Sequence, residues 1–356
     1  MSSNVKSFLV GFNPINESNT FTSGDMITGQ TTLELSQECK IDSLCIKLKG
    51  KAEVQWTESY GKTVVTYHKK EKYFSVKHFI IQEGQGNNTI GQGFHVYPFS
   101  FQIPTQELPS SFHGKFGKIL YTLEANLSRS MRIDSKAKAE FTLIHKGNPD
   151  PMLMISQQGN TDKKMKLFNS GTVGMDVNIE RMGFHQGEGI KVVASIQNRS
   201  SREIRPKYCL YRKYSYFAKG KRKVDTKDIL KEQGEAIPPS AGLTVTKIIT
   251  VPPTTPASIL NCSIIKVEYR LRVYLDVKYA SDPEIKFPIV ILPALEGPQE
   301  VHSLANPAYG FDAFPNSSMP GRTSLLQNPT ASGPFAPSPI SVSGMYLSST
   351  DFDRKL

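Results

Sequence analysis

Apolar and polar residues alternate with a period of two along much of this chain, the pattern of strands that bury one face and leave the other in water. Between 118 and 128, Ile119, Tyr121, Leu123, Ala125 and Leu127 share one side, while Lys118, Thr122, Glu124, Asn126 and Ser128 share the other. Between 267 and 277, Val267, Tyr269, Leu271, Val273, Leu275 and Val277 alternate with Glu268, Arg270, Arg272 and Asp276. The same reading predicts strands at 26–35, 44–56, 64–81, 94–103, 132–145, 173–181, 190–197, 208–217 and 285–292. Helix is nearly absent from the pattern, and only 225–233 has a helix-like composition.

Two echoes in the same order set the domain count. Phe21-Thr-Ser-Gly24-Asp25-Met-Ile27 recurs as Phe184-His-Gln-Gly187-Glu188-Gly-Ile190, and Lys118-Ile-Leu-Tyr121-Thr-Leu123 recurs as Lys266-Val-Glu-Tyr269-Arg-Leu271. The Gly-Asp/Glu pair reads as a turn that launches a strand, with glycine at positive φ. The expected organisation is two related sandwiches, 1–150 and 155–293, joined through the Gly- and Pro-bearing stretch 146–151. From 294 to 356 the chain turns to Pro, Ser, Asn and Gly, so a disordered tail is expected there.

Composition narrows the picture further. Only 38% of the 356 residues are hydrophobic, and 26 glycines with 23 prolines suit turn-rich β structure. No basic segment followed by an apolar core opens the chain, and no apolar run has the length of a membrane span, so a cytoplasmic location is expected. Four scattered cysteines, Cys39, Cys45, Cys209 and Cys262, fit neither a disulfide scaffold nor zinc spacing and are expected to stay reduced. The net charge is +11, and since the stretch from Ala294 holds three basic and five acidic residues, the body carries +13. Such a surface favours acidic partners without choosing among them.

Four stretches carry a family resemblance: Phe21-Thr-Ser-Gly-Asp-Met-Ile-Thr-Gly29 with Leu33-Glu-Leu35; Tyr97-Pro-Phe-Ser-Phe-Gln-Ile-Pro104 with Leu108-Pro-Ser-Ser-Phe-His-Gly114; Gly183-Phe-His-Gln-Gly-Glu-Gly-Ile190 with Asn198-Arg-Ser-Ser-Arg202; and Ala257-Ser-Ile-Leu-Asn-Cys-Ser-Ile-Ile-Lys-Val-Glu-Tyr269 with Phe287-Pro-Ile-Val-Ile291. Over about the first 290 positions the chain resembles the α-arrestins. The resemblance implies an all-β fold of two tandem arrestin-like, immunoglobulin-like β-sandwiches, with no catalytic site and no cofactor. It also implies an adaptor that binds membrane receptors or transporters as cargo at the plasma membrane and endosomes, and directs them through endocytic adaptors or ubiquitination. An endosomal coat subunit of the retromer type shares that architecture and is the competing reading; a scaffold on anionic membrane without ligase recruitment is another. Family tails commonly carry P-P-x-Y ligands for the WW domains of ubiquitin ligases. This tail has none, so ligase recruitment by that route is not expected. Where the thioredoxin-binding member has a cysteine segment, this chain reads Gly234-Glu-Ala-Ile-Pro-Pro239.

Three groups of residues are candidate sites. The densest run of positive charge contains Arg212, Lys213, Lys219, Lys221, Arg222 and Lys223, with Tyr208, Tyr211, Tyr214 and Tyr216 interleaved or just upstream. Its cations suit phosphate or lipid headgroups and its aromatics a lipid interface. No nucleic-acid module accompanies the charge, so nucleic acid is not expected. Gly114-Lys115-Phe-Gly117-Lys118 is similar to the segment with which visual and β-arrestins contact receptor phosphates, which points to Lys115 and Lys118. In the tail, Asn306-Pro307-Ala-Tyr309 fits the N-P-x-Y turn read by sorting adaptors. The seven histidines stand singly, without a hydrolase, metalloprotease or P-loop motif beside them.

Overall fold

The structure is a computed structural model and describes residues 4–82, 84, 88–147, 150–164, 171–277 and 281–295. The alternating stretches pair into two β-sandwiches. In the first, Val5–Phe12, Met26–Leu35 and Gly93–Gln102 form a three-stranded antiparallel sheet with Met26–Leu35 in the middle. Against it lies a sheet ordered Thr20–Phe21, Arg132–Leu143, Gly117–Arg129, Ser43–Tyr60 and Thr63–Ile81, with the short Phe112–His113 added on Gly117–Arg129. The second sandwich sets Gln157–Lys164, Gly171–Ile179, Gly189–Ser200 and Ala241–Thr250 against Gly183–His185, Glu284–Leu292, Ile265–Val277, Ile204–Ala218 and Lys221–Gln233. Every second residue of Ile265–Val277 is buried, as its alternation predicts. Each buried Leu, Ile or Val side chain contributes roughly 1.5–3 kcal/mol, so inner faces bearing Ile46, Leu48, Leu123, Val192, Leu271 and Val273 hold the sheets together.

The sequence echoes are structural. Gly24 and Gly187 have φ of 90° and 82°, and the following acid closes each turn: Asp25 accepts from the Thr22 amide at 2.7 Å, and Glu188 accepts from the His185 amide at 2.7 Å. Thr20–Phe21 and Gly183–His185 each pair in parallel with the last strand of their own sandwich. The hydroxyls of Tyr121 and Tyr269, the two echoing tyrosines, each donate to a proline carbonyl at 2.7 Å, of Pro109 and Pro256. A buried phenol needs such a partner, and both copies found the same solution.

Two sequence expectations require correction. The helix-like stretch 225–233 is β, the outer part of strand Lys221–Gln233. Lys219 and Gly220, both at positive φ, form a two-residue hairpin turn that sends this strand back along Ile204–Ala218, paired from Ala218↔Lys221 to Lys207↔Gln233 with one register shift between Leu210 and Tyr211. Backbone pairing overrides local composition there. The alternation also missed Val5–Phe12, Gln157–Lys164 and Ala241–Thr250, each an edge strand of its sheet. Gln157–Lys164 contains no apolar side chain at all and is recruited by its main chain, so no hydrophobic pattern could announce it. Among the described residues, no helix is long and apolar enough to cross a membrane.

Candidate functional site

Two of the candidate stretches, a hundred residues apart, meet where the sandwiches touch. The Gly114 amide donates to the Gly117 carbonyl at 2.9 Å, closing a tight turn that displays Lys115 and Phe116. Glycine is required at this approach: a Cβ on Gly114 would strike the Tyr216 hydroxyl and the Phe112 ring, and one on Gly117 would crowd the side chain of Val54. Phe112 meets Tyr214 edge to face at 5.1 Å, and Phe116 meets Tyr216 in the same way at 5.7 Å. Lys115 lies 5.2 Å from the Phe116 ring centre and Lys223 5.7 Å, so cations from both sandwiches flank one aromatic ring. A shallow cavity of about 300 Å³ opens beside the turn, lined by Glu53, Gln55, His113, Lys115 and Lys118.

Polar bonds cross the same junction. Lys223 pairs with Glu58 at 3.3 Å, Lys219 donates to the Thr66 carbonyl at 2.9 Å, Ser263 bonds Glu71, and the Tyr73 hydroxyl donates to Cys262 Sγ at 3.2 Å. Glu58 also accepts from Tyr60 and from the Trp56 indole, and the Tyr60 bond leads in holding its carboxyl below the usual range. Burial alone would raise the Glu53 carboxyl, but hydrogen bonds from His68, Lys70 and Lys51 outweigh it and bring the group down to about 2.

Much of the basic run is therefore engaged inside the protein. Arg212 pairs with Asp225 at 3.5 Å and lies over the Tyr214 ring, while Arg222 bonds Ser215 at 2.7 Å and approaches Glu268 at 3.8 Å. Lys223 and Lys219 are the junction contacts already described. Lys213 and Lys221 have no ion pair among the described residues, and neither do Lys115 and Lys118. The interleaved aromatics are a correction: Tyr208, Tyr214 and Tyr216 are buried, because they occupy the inward positions of Ile204–Ala218, and they are not available to a lipid interface. The tail motif at Asn306, Pro307 and Tyr309 lies outside the described residues. Sequence reasoning did not single out Glu53, Glu58 and Glu71. The available signal was the stretch Lys69-Lys70-Glu71-Lys72, which carries Glu71 itself and whose Lys70 the sheet register sets opposite Glu53. No group of three or more potential metal ligands occurs among the described residues.

These two sandwiches match known domain families in order. Residues 8–148 match Arrestin (or S-antigen), N-terminal domain, and residues 169–294 match the corresponding C-terminal domain. The chain belongs to the arrestin family. It is 31% identical over 285 residues to Arrestin domain-containing protein 4 of Mus musculus, covering 76% of this chain and 68% of that protein; the Homo sapiens protein of the same name gives the same values. It is 28% identical over 300 residues to Thioredoxin-interacting protein of Rattus norvegicus, covering 81% of this chain and 74% of that one. These relatives are α-arrestins, and this α-arrestin has the build of an arrestin-type adaptor: two sandwiches closed on a shared, polar-edged junction.

Proposed function

We propose that this arrestin is a non-enzymatic cytoplasmic adaptor, peripheral at the plasma membrane and endosomes, that binds cytosolic segments of membrane receptors or transporters and passes them to endocytic sorting. The observation that supports this reading is the convergence at one junction of the Gly114–Gly117 turn and the basic hairpin of the second sandwich, with Lys115, Lys118, Lys213 and Lys221 left without carboxylate partners. An acidic or phosphorylated cargo segment supplies the missing anions, and ammonium groups pair with such oxygens individually. Thiol exchange with thioredoxin, suggested by the name of one relative, is not part of the proposal: all four cysteines are buried, and burial followed by the Asp228 contact pushes the Cys209 thiol up to about 11.

Proximity labelling in cells with the full chain and with Lys115→Glu/Lys118→Glu tests the reading. Receptors, transporters and endocytic adaptors should be enriched by the wild type and reduced at least fivefold by the variant. Enrichment of retromer subunits in their place would favour the coat reading, and equal labelling by both proteins would remove the lysines from the site. Recruitment of a ubiquitin ligase through WW domains is not expected, and tight, tail-dependent binding to an isolated WW domain would overturn that.

A further inference from the structure

The hairpin that joins Gly117–Arg129 to Arg132–Leu143 outruns the core of the first sandwich. Leu127 is its last buried apolar residue before the turn; beyond it, Met131 is fully exposed and Ile133 is 91% exposed. Met131 also sits at φ 57°, in the left-handed region where glycine or asparagine is the usual occupant, so neither backbone preference nor solubility explains an apolar side chain there. The turn is nevertheless firmly built. Arg129, buried beneath it, donates to the Ile133 carbonyl at 3.2 Å and to Ser135 Oγ at 3.0 Å, which fixes the loop with its apolar pair in solvent beyond the end of the core.

The outer face of the sheet behind this tip is basic. Register sets Lys138, Glu124, Lys47 and Lys77 side by side across four strands. Glu124 is already taken by Lys49, Glu140 lies beside His113 at 3.3 Å, and Asp134 accepts from Asn126 at 3.0 Å. Lys47, Arg132 and Lys138 have no ion pair among the described residues. A depression of about 480 Å³ opens on this face, where Lys47, Lys49, Lys136 and Lys138 outnumber Glu124 and Asp134 in the lining.

We infer that the Ser130–Met131 hairpin and the lysine face behind it form a lipid-contact surface, with Met131 and Ile133 entering an anionic bilayer and Lys47, Arg132, Lys136 and Lys138 meeting its headgroups. An acidic protein segment would match the lysines but leave two projecting apolar side chains without purpose. A bilayer takes both, because its interface receives apolar groups and its surface attracts cations. The adaptor reading brings the protein to membranes through cargo, and this contact operates without cargo.

The full chain should sediment with vesicles of phosphatidylcholine containing 30% phosphatidylserine and not with phosphatidylcholine alone. Because the vesicles hold no protein, failure here leaves the cargo reading untouched. Met131→Ser/Ile133→Ser alters only exposed side chains and should weaken binding at least tenfold. Lys136→Glu/Lys138→Glu should weaken it by at least about 25-fold, given about fivefold for each cation lost near an anionic surface and the added repulsion of two carboxylates. A tryptophan introduced as Ile133→Trp should shift its emission to the blue on anionic vesicles, against the constant background of the buried Trp56. Unchanged emission, or binding that survives the serine pair, would overturn the inference. So would binding of an Asp/Glu-rich peptide by the lysine face with no vesicle binding at all.

Discussion

If the junction joins the two sandwiches energetically, the Phe112–Tyr214 contact should be measurable as a coupling. Phe112 is 5% exposed and belongs to the first sandwich; Tyr214 is 3% exposed and belongs to the second; their rings meet at 87°. Phe112→Ala empties a buried site and should cost about 3–5 kcal/mol, while the more nearly volume-conserving Tyr214→Leu should cost about 1–2 kcal/mol. Within those totals the edge-to-face contact accounts for about 1 kcal/mol. The double variant should therefore be more stable than the two single losses added together predict, by that amount. Tyr214→Leu also removes the ring beneath Arg212, but that loss is common to both arms of the cycle and cancels. Urea unfolding followed by fluorescence suits the measurement, since the single tryptophan, Trp56, is buried in the first sandwich, stacks on Tyr67 and donates to Glu58. Additivity of the two losses within about 0.3 kcal/mol would refute the claim that this contact couples the sandwiches.

Acid should loosen the same region. A carboxyl held at about 2 in the fold, against an ordinary 4.5, lends stability that is present in full above pH 4.5 and is lost as the pH falls toward 2. Glu53→Gln should therefore flatten stability between pH 4.5 and 2 while leaving the slope above pH 5 unchanged, as read by urea midpoints across that range. The four buried thiols should react with a bulky disulfide reagent only as fast as the protein opens, so native labelling at pH 8 should run at least a hundredfold slower than labelling in denaturant.

Strands that sit inside their sheets were plain in the sequence. The runs around Leu123 and Leu271 alternate because both neighbours of each strand are protein and one face must meet the opposite sheet. Edge strands were legible only in part: Thr63–Ile81 and Gly93–Gln102 announced themselves, whereas Gln157–Lys164 is bonded on one side only and buries too little to need an apolar face. The duplicated turns were legible because a positive-φ glycine and the acid after it are local requirements. Their shared tyrosine-to-proline bonds were not, since the partners lie twelve and thirteen residues apart across a loop.

The candidate site shows why charge counted along a chain misleads in a β protein. Between Arg212 and Lys223 the sequence offers six cations and no acid, yet the hairpin turn at Lys219-Gly220 folds Asp225 back beside Arg212, and the neighbouring strand brings Glu268 toward Arg222. Glu58 reaches Lys223 from 165 residues away. Register and tertiary contact, neither of them written in local composition, neutralise half of the run and turn it into a seam between sandwiches. The opposite error hides the Met131 hairpin. Ile133, Ser135, Ala137, Ala139 and Phe141 read as the inward stripe of an ordinary strand, and from Phe141 back to Ala137 that is what they are. Only knowing where the opposing sheet ends reveals that Ile133 has passed beyond it. An apolar residue on the inward phase of a strand is a core residue only while there is a core beneath it, and the end of that core is a property of the whole sandwich.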